Sequence, residues 1–310
     1  MLSITSWKEL PITLLFCALI SHSFASTFTV TNNCPYTIWP GTLSGSSSPQ
    51  LSTTGFQLNA GQSVRIPSVT GWSGRIWART GCIFDESGVG SCQTGDCGGK
   101  LECDGLGATP PASLFEITLG TGDTKDFYDV SIVDGYNLPM VATPQGVPGG
   151  CNATGCISNL NMGCPKELQV VGGDGGGNVV ACKSACEAFG LDQYCCAGEF
   201  ANPTTCRPSF YSSIFKRACP RAYSYAYDDG TSTFTCKASD YAIIFCPMNG
   251  VKRPNGGETT PPIQESKMEK FPAMVSSSNI LHPFPMLIGM LFQFISLQIS
   301  QQHKSGYVLA

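Results

Sequence analysis

The chain has 310 residues with 18 Lys or Arg against 22 Asp or Glu, a formal net charge of −4, and between residues 26 and 250 the balance is 12 − 18 = −6. That acidity disfavours nucleic acid or an anionic membrane as ligand. The three histidines, His22, His282 and His303, all lie outside the stretch from Cys34 to Cys246 that holds sixteen of the seventeen cysteines. This argues against zinc and against histidine-based nucleophilic catalysis, and leaves carboxylates as the acid-base groups; no metal and no cofactor is expected.

Residues 1–25 read as a secretory signal: Lys8 in a polar start, an apolar run over 11–20, then Ser23-Phe24-Ala25 with small residues suited to cleavage before Ser26. Export makes the sixteen remaining cysteines a disulfide framework. Short alternating segments follow, bounded by Gly, Pro, Asn and Ser, and predict strands at 27–31, with Phe28 and Val30 on one face, and at 114–119, 127–133 and 241–246. Cysteines crowd between Cys151 and Cys219, where the strand pattern fades. A loop-rich lobe held by bridges is expected there. Within it, residues 181–189 read as a short helix stopped by Gly190, with Cys182 and Cys186 on one face. Gly172 to Gly177 reads as a surface loop rather than a phosphate site, because no Lys-Ser or Lys-Thr follows it. Asn152-Ala153-Thr154 is an N-glycosylation acceptor sequence.

After Cys246 the composition turns to a linker rich in Pro, Gly, Ser and Thr over 249–279. Residues 280–310 form a tail whose apolar run, 280–299, is broken by Pro283, Pro285, Gln293 and Gln298. Ser276-Ser277-Ser278-Asn279 could serve as a GPI attachment site, with a retained membrane anchor or a propeptide as the alternatives.

Residues 88–103, GVGSCQTGDCGGKLEC, resemble the signature of the thaumatin-like proteins, plant pathogenesis-related family 5. NNCPYTIW at 32–39, RIWARTGC at 75–82, YDVSIVDGYN at 128–137 and CPRAYSYAYDD at 219–229 resemble that family too. The resemblance implies an all-β fold: a flattened sandwich of about eleven strands (26–80, 104–150, 220–248), a small disulfide hairpin lobe (81–103) and a disulfide-rich lobe with a short helix (151–219). It implies the pairs Cys34 with Cys246, Cys82 with Cys92, Cys97 with Cys103, Cys151 with Cys236, Cys156 with Cys219, Cys164 with Cys182, Cys186 with Cys195 and Cys196 with Cys206. Spacing alone does not choose this order; it does disfavour joining the neighbours Cys195 and Cys196.

Members of that family carry an acidic cleft, and its positions match Arg75, Glu116, Asp129, Asp134 and one of Asp228 and Asp229, with Asp229 favoured. Alternation on their strands sets Glu116 and Asp129 away from an apolar face. The loop between those strands is too long to fix their register, and Asp134-Gly135 and Asp229-Gly230 are also plain turn signals. Arg75 alternates with Trp77 and Arg79 and could simply pack. The function expected is a secreted plant defence protein of the apoplast or cell wall, or of the vacuole, monomeric, binding β-1,3-glucan of fungal walls in the cleft. The alternatives are a weak endo-β-1,3-glucanase with Glu116 as acid and Asp129 as nucleophile or base, and a membrane-perturbing or cell-surface protein-binding module.

Overall fold

The structure is a computed structural model that describes residues 24–173 and 176–247. The linker, the tail and all of the signal segment before Phe24 lie outside the described residues. Two five-stranded sheets pack face to face. One runs β10 (Thr154–Cys156), β9 (Met140–Gln145), β14 (Asp240–Phe245), β1 (Phe24–Asn32) and β3 (Ser63–Val69). The other runs β13 (Phe234–Cys236), β8 (Asp126–Ser131), β7 (Leu114–Thr118), β4 (Ser73–Arg79) and β2 (Trp39–Ser44). The sandwich thus has ten strands among the described residues, against the eleven expected. Two ribbons lie outside it: β5 (Ile83–Phe84) with β6 (Gly90–Ser91) in the small lobe, and β11 (Gln169–Val171) with β12 (Val179–Cys182) in the disulfide-rich lobe.

Period-two alternation builds the core. Phe28 and Val30 of β1 and Tyr241, Ile243 and Phe245 of β14 meet Ile76, Phe115, Ile117, Tyr128 and Val130 from the other sheet, all buried. Rings dominate the contact: Phe28 lies 5.2 Å from Trp72 and Tyr128 lies 5.3 Å from Tyr241, centroid to centroid. β1 and β14 pair in parallel although they stand at opposite ends of the domain, and Cys34–Cys246 ties them just beyond their ends. The other bridges are Cys82–Cys92, Cys97–Cys103, Cys151–Cys236, Cys156–Cys219, Cys164–Cys182, Cys186–Cys195 and Cys196–Cys206.

The disulfide-rich lobe carries α1 (Ala185–Phe189), α2 (Asp192–Cys195) and α3 (Phe210–Ala218). Here the sequence reading needs correction. Cys182 is the last residue of β12, paired with Gln169 of β11, and its backbone also exchanges hydrogen bonds with Tyr136 at 2.7 and 2.8 Å. The helix starts only after Ser184, whose Oγ accepts from Glu187 N at 3.2 Å. Cys182 and Cys186 therefore do not share a helical face. Gly190 does close α1, with φ 63° in the left-handed region. The nine-residue α3, capped by Ser209, was not read from the sequence at all.

The small lobe is pinned by an arginine. Arg79, wholly buried, donates to the carbonyls of Trp39 (2.9 Å), Lys100 (2.7 Å) and Leu101 (2.8 Å), and burial lowers its pKa to about 10. Closure of the domain by Cys34–Cys246 restricts a loop with a sequence separation of 212. The double substitution Cys34→Ala with Cys246→Ala is predicted to lower unfolding free energy by about 5 kcal/mol on the chain-entropy model, measured by denaturant titration.

Candidate functional site

The outer face of the second sheet is a small grid fixed by register. Arg75 on β4 stands opposite Glu116 on β7, and Glu116 stands opposite Asp129 on β8. The three form one cross-strand row, with directly opposed Cβ atoms about 4.5 to 5.5 Å apart in such ladders. The row on one side is Trp77, Leu114 and Ser131, all buried; the row on the other is Ser73, Thr118 and Phe127. Ser73 and Thr118 share a hydroxyl hydrogen bond of 3.0 Å. Odd and even positions divide cleanly: Ile76, Phe115 and Val130 face the core, and the charged row faces away from it.

Arg75 Nε lies 3.6 Å from Glu116 Oε1, with side chains 14% and 24% exposed, so this pair is only partly wetted. Asp129 differs. Its Oδ1 is shielded from solvent and meets no hydrogen-bond partner among the described residues. Burial raises its pKa well above the usual carboxylate range, the neighbouring charges of Glu116 and Asp229 push the same way, and Arg75 opposes them. The row therefore holds one carboxylate in an ion pair and one carboxyl that resists ionisation.

The remaining acids separate by role. Asp229 opens α4 (Asp229–Ser232), is exposed, and accepts from Tyr223 Oη at 2.8 Å. Tyr223 lies along β8, its amide donating to the Val130 carbonyl at 2.9 Å and its own carbonyl accepting from Ile132. This brings Asp229 into the field of Asp129. Asp228 turns the other way. Its Oδ2 meets Lys216 Nζ at 2.9 Å and accepts from both Ser224 N and Ser224 Oγ at 3.0 Å. Of the pair, Asp229 is the one beside the row.

Asp134 is not part of the row. Its carbonyl accepts from Ala112 N at 3.2 Å, and the turn from Ile132 in which it lies is closed by Gly135, whose φ is 86° and whose missing Cβ would meet Pro111 at 2.5 Å. The charge of Asp134 acts instead on Glu187 of α1, whose pKa is pushed up to about 7, mainly by burial. Asn152 is exposed, while its sequon partner Thr154 is buried and donates to the Arg221 carbonyl at 2.9 Å.

Sequence reasoning missed two contributors. Tyr225 and Tyr227 precede Asp228 and Asp229, and their hydroxyls are pushed up by partial burial, Tyr225 also by both carboxylates and Tyr227 by Asp229. Their spacing with Tyr223 in the run YSYAY, all on one loop next to the acids, was the available signal. The set provides charged acceptors, one guarded carboxyl and aromatic rings on a half-exposed face, which are the groups that grip a polyhydroxylated ligand.

Comparison with known proteins agrees with the fold. The model of the "Thaumatin family" matches residues 32–247. The chain is 57% identical over 225 residues to pathogenesis-related thaumatin-like protein 3.5 of Cryptomeria japonica, covering 73% of this chain and 91% of that one. It is 54% identical over 237 residues to pathogenesis-related protein 5 of Arabidopsis thaliana, covering 76% and 97%. It is also 54% identical over 225 residues to a Prunus avium protein named glucan endo-1,3-beta-glucosidase, covering 72% and 91%. With its sandwich, its eight bridges and these relatives, the chain belongs to the thaumatin family and is a thaumatin-like pathogenesis-related protein.

Proposed function

We propose that the protein is exported and binds β-1,3-glucan on the face built around Arg75, Glu116, Asp129 and Asp229. The observation that carries this reading is Asp129 Oδ1: a buried carboxyl oxygen with no hydrogen-bond partner among the described residues, in the field of the exposed Asp229 and of the Tyr223 hydroxyl. Such a group costs stability, and a sugar hydroxyl would satisfy it. Glu116 and Asp229 supply acceptors for further hydroxyls, and Tyr225 and Tyr227 supply faces for pyranose rings. The glucan is suggested by the Prunus avium relative, named for that substrate. The charge of Asp134 reaches Glu187 of the disulfide-rich lobe.

Hydrolysis is a second reading, favoured by the asymmetry of the two carboxyls. A glycosidase needs one protonated and one ionised across the scissile bond. Here Asp129 is the group that keeps its proton and Glu116 is the one paired with Arg75, so the acid would be Asp129 and the nucleophile or base Glu116, the reverse of the order expected from the sequence. Glycosylation at Asn152 and membrane attachment through the tail are further proposals; release by a phosphatidylinositol-specific phospholipase would support the second.

Calorimetric titration with soluble β-1,3-glucan tests the binding reading. Arg75→Ala and Asp129→Ala are each predicted to weaken binding about tenfold or more, the cost of a lost hydrogen bond to a charged or buried group. Wild-type affinity in both would overturn it. Reducing-end release from the same glucan is predicted to be absent; release that disappears in Glu116→Gln and Asp129→Asn would make the protein an enzyme instead.

The raised pKa of Asp129 has a consequence for stability. From the unfolded value near 4 up to its folded value, the native state holds a proton that the unfolded chain has released, so stability falls as pH rises through that window. Asparagine removes the dependence. Asp129→Asn is predicted to melt above the wild type at pH 7 and to lose that advantage at pH 3; an equal or lower melting temperature at pH 7 would contradict the assignment.

A further inference from the structure

The segment after Cys219 carries Tyr223, Tyr225, Tyr227 and Asp229 and returns to the sheet at β13. Its ends are bridged, Cys219 to Cys156 and Cys236 to Cys151. Between those anchors Lys216 gathers it, and within the segment the Arg221 guanidinium lies 4.6 Å over the Phe234 ring. Lys216, in the last turn of α3, places Nζ 3.1 Å from the Ala222 carbonyl, 2.7 Å from Ser232 Oγ and 2.9 Å from Asp228 Oδ2. An ammonium group has three protons, and each has a partner here. Ser232, wholly buried, donates to the same Ala222 carbonyl at 3.2 Å, and Asp228 is tied back to Ser224. The lysine thus joins the start and the end of one loop, and the residues just inside those joints are Tyr223 and Asp229. Tyr223 donates its one hydroxyl proton to Asp229, so the contact with Thr233 Oγ1 has Thr233 as donor.

We propose that Lys216 is a positioning residue for the acidic row: by fastening Ala222, Asp228 and Ser232 to a helix of the disulfide-rich lobe, it holds Asp229 and Tyr223 against Asp129. The row's use for glucan rests on the reading above, but the positioning does not, and its test needs no ligand.

Charge alone and position predict opposite signs. The groups facing Asp129 are Glu116 on β7, Arg75 on β4, Asp229 on α4 and the Tyr223 hydroxyl. Loss of a nearby cation by itself makes the site more negative and raises the carboxyl's pKa. Release of Asp229 removes a negative neighbour and lowers it. Carbon-13 NMR titration of the Asp129 carboxyl, in protein purified after expression of the full chain, reads the difference. Lys216→Met is expected to lower the titration midpoint, as Asp229→Asn does directly. Adding Lys216→Met to Asp229→Asn is expected to produce no further fall, and Lys216→Arg to restore the wild-type midpoint. A midpoint that stays or rises in Lys216→Met overturns the proposal. If that variant fails to fold, Ser232→Ala removes one leg of the clamp and no charge; a smaller fall is expected, and an unchanged midpoint overturns the proposal equally. Glucan binding measured alongside separates the two ideas, because loss of the glucan reading leaves the midpoints unaltered.

Discussion

The antiparallel register of β4, β7 and β8 is the constraint on which both the core and the site depend. One pairing puts Ile76, Phe115 and Val130 together on the inner face and Arg75, Glu116 and Asp129 together on the outer. A slip of one residue would drive the charged row into the sandwich and the aliphatic row into water. The hydrophobic effect that assembles the sandwich therefore also lines up the carboxyls, with no separate device needed for the first three members of the row.

The register was not legible locally. Residues 119–125 form a connection whose length leaves several alignments open. What fixes it is Asp126, buried at the start of β8: Oδ1 accepts from Gly120 N at 2.8 Å and Oδ2 accepts from Tyr241 Oη at 2.6 Å, across 115 positions of sequence. No periodicity argument sees such a bond. The strands themselves were legible, because Phe28 and Val30, or Phe115 and Ile117, alternate with polar neighbours in runs too short for helix. The short helix was misplaced because Ala181 and Cys182 have no helix-breaking character, and only their pairing with Val170 and Gln169 of β11 shows that they are strand. Asp228 and Asp229 could be separated only once Lys216 had a position.

The acids of this molecule fall into two groups by what surrounds them. Asp126 and Asp228 are spent on structure, each accepting hydrogen bonds from two or more groups of its own chain. Asp129 Oδ1 meets no such partner among the described residues, and Asp229, exposed, accepts from a tyrosine hydroxyl. Satisfied carboxylates stabilise a fold; an unsatisfied one is tolerated where the rest of the molecule can carry its cost. Eight bridges and an aromatic core supply that reserve. The arrangement relates the heavy cross-linking to the site: the bridges at Cys219 and Cys236 bound the loop that carries Asp229, and α3 holds it from the side.

Chemical-shift mapping of isotope-labelled protein with a soluble β-1,3-glucan oligosaccharide is the most direct test of the central claim. The account predicts that the largest changes fall on Arg75, Glu116, Asp129, Asp229 and Tyr227. Saturable changes centred elsewhere, for instance on the exposed rings of Phe189 and Phe210 with Asp129 unmoved, would contradict it.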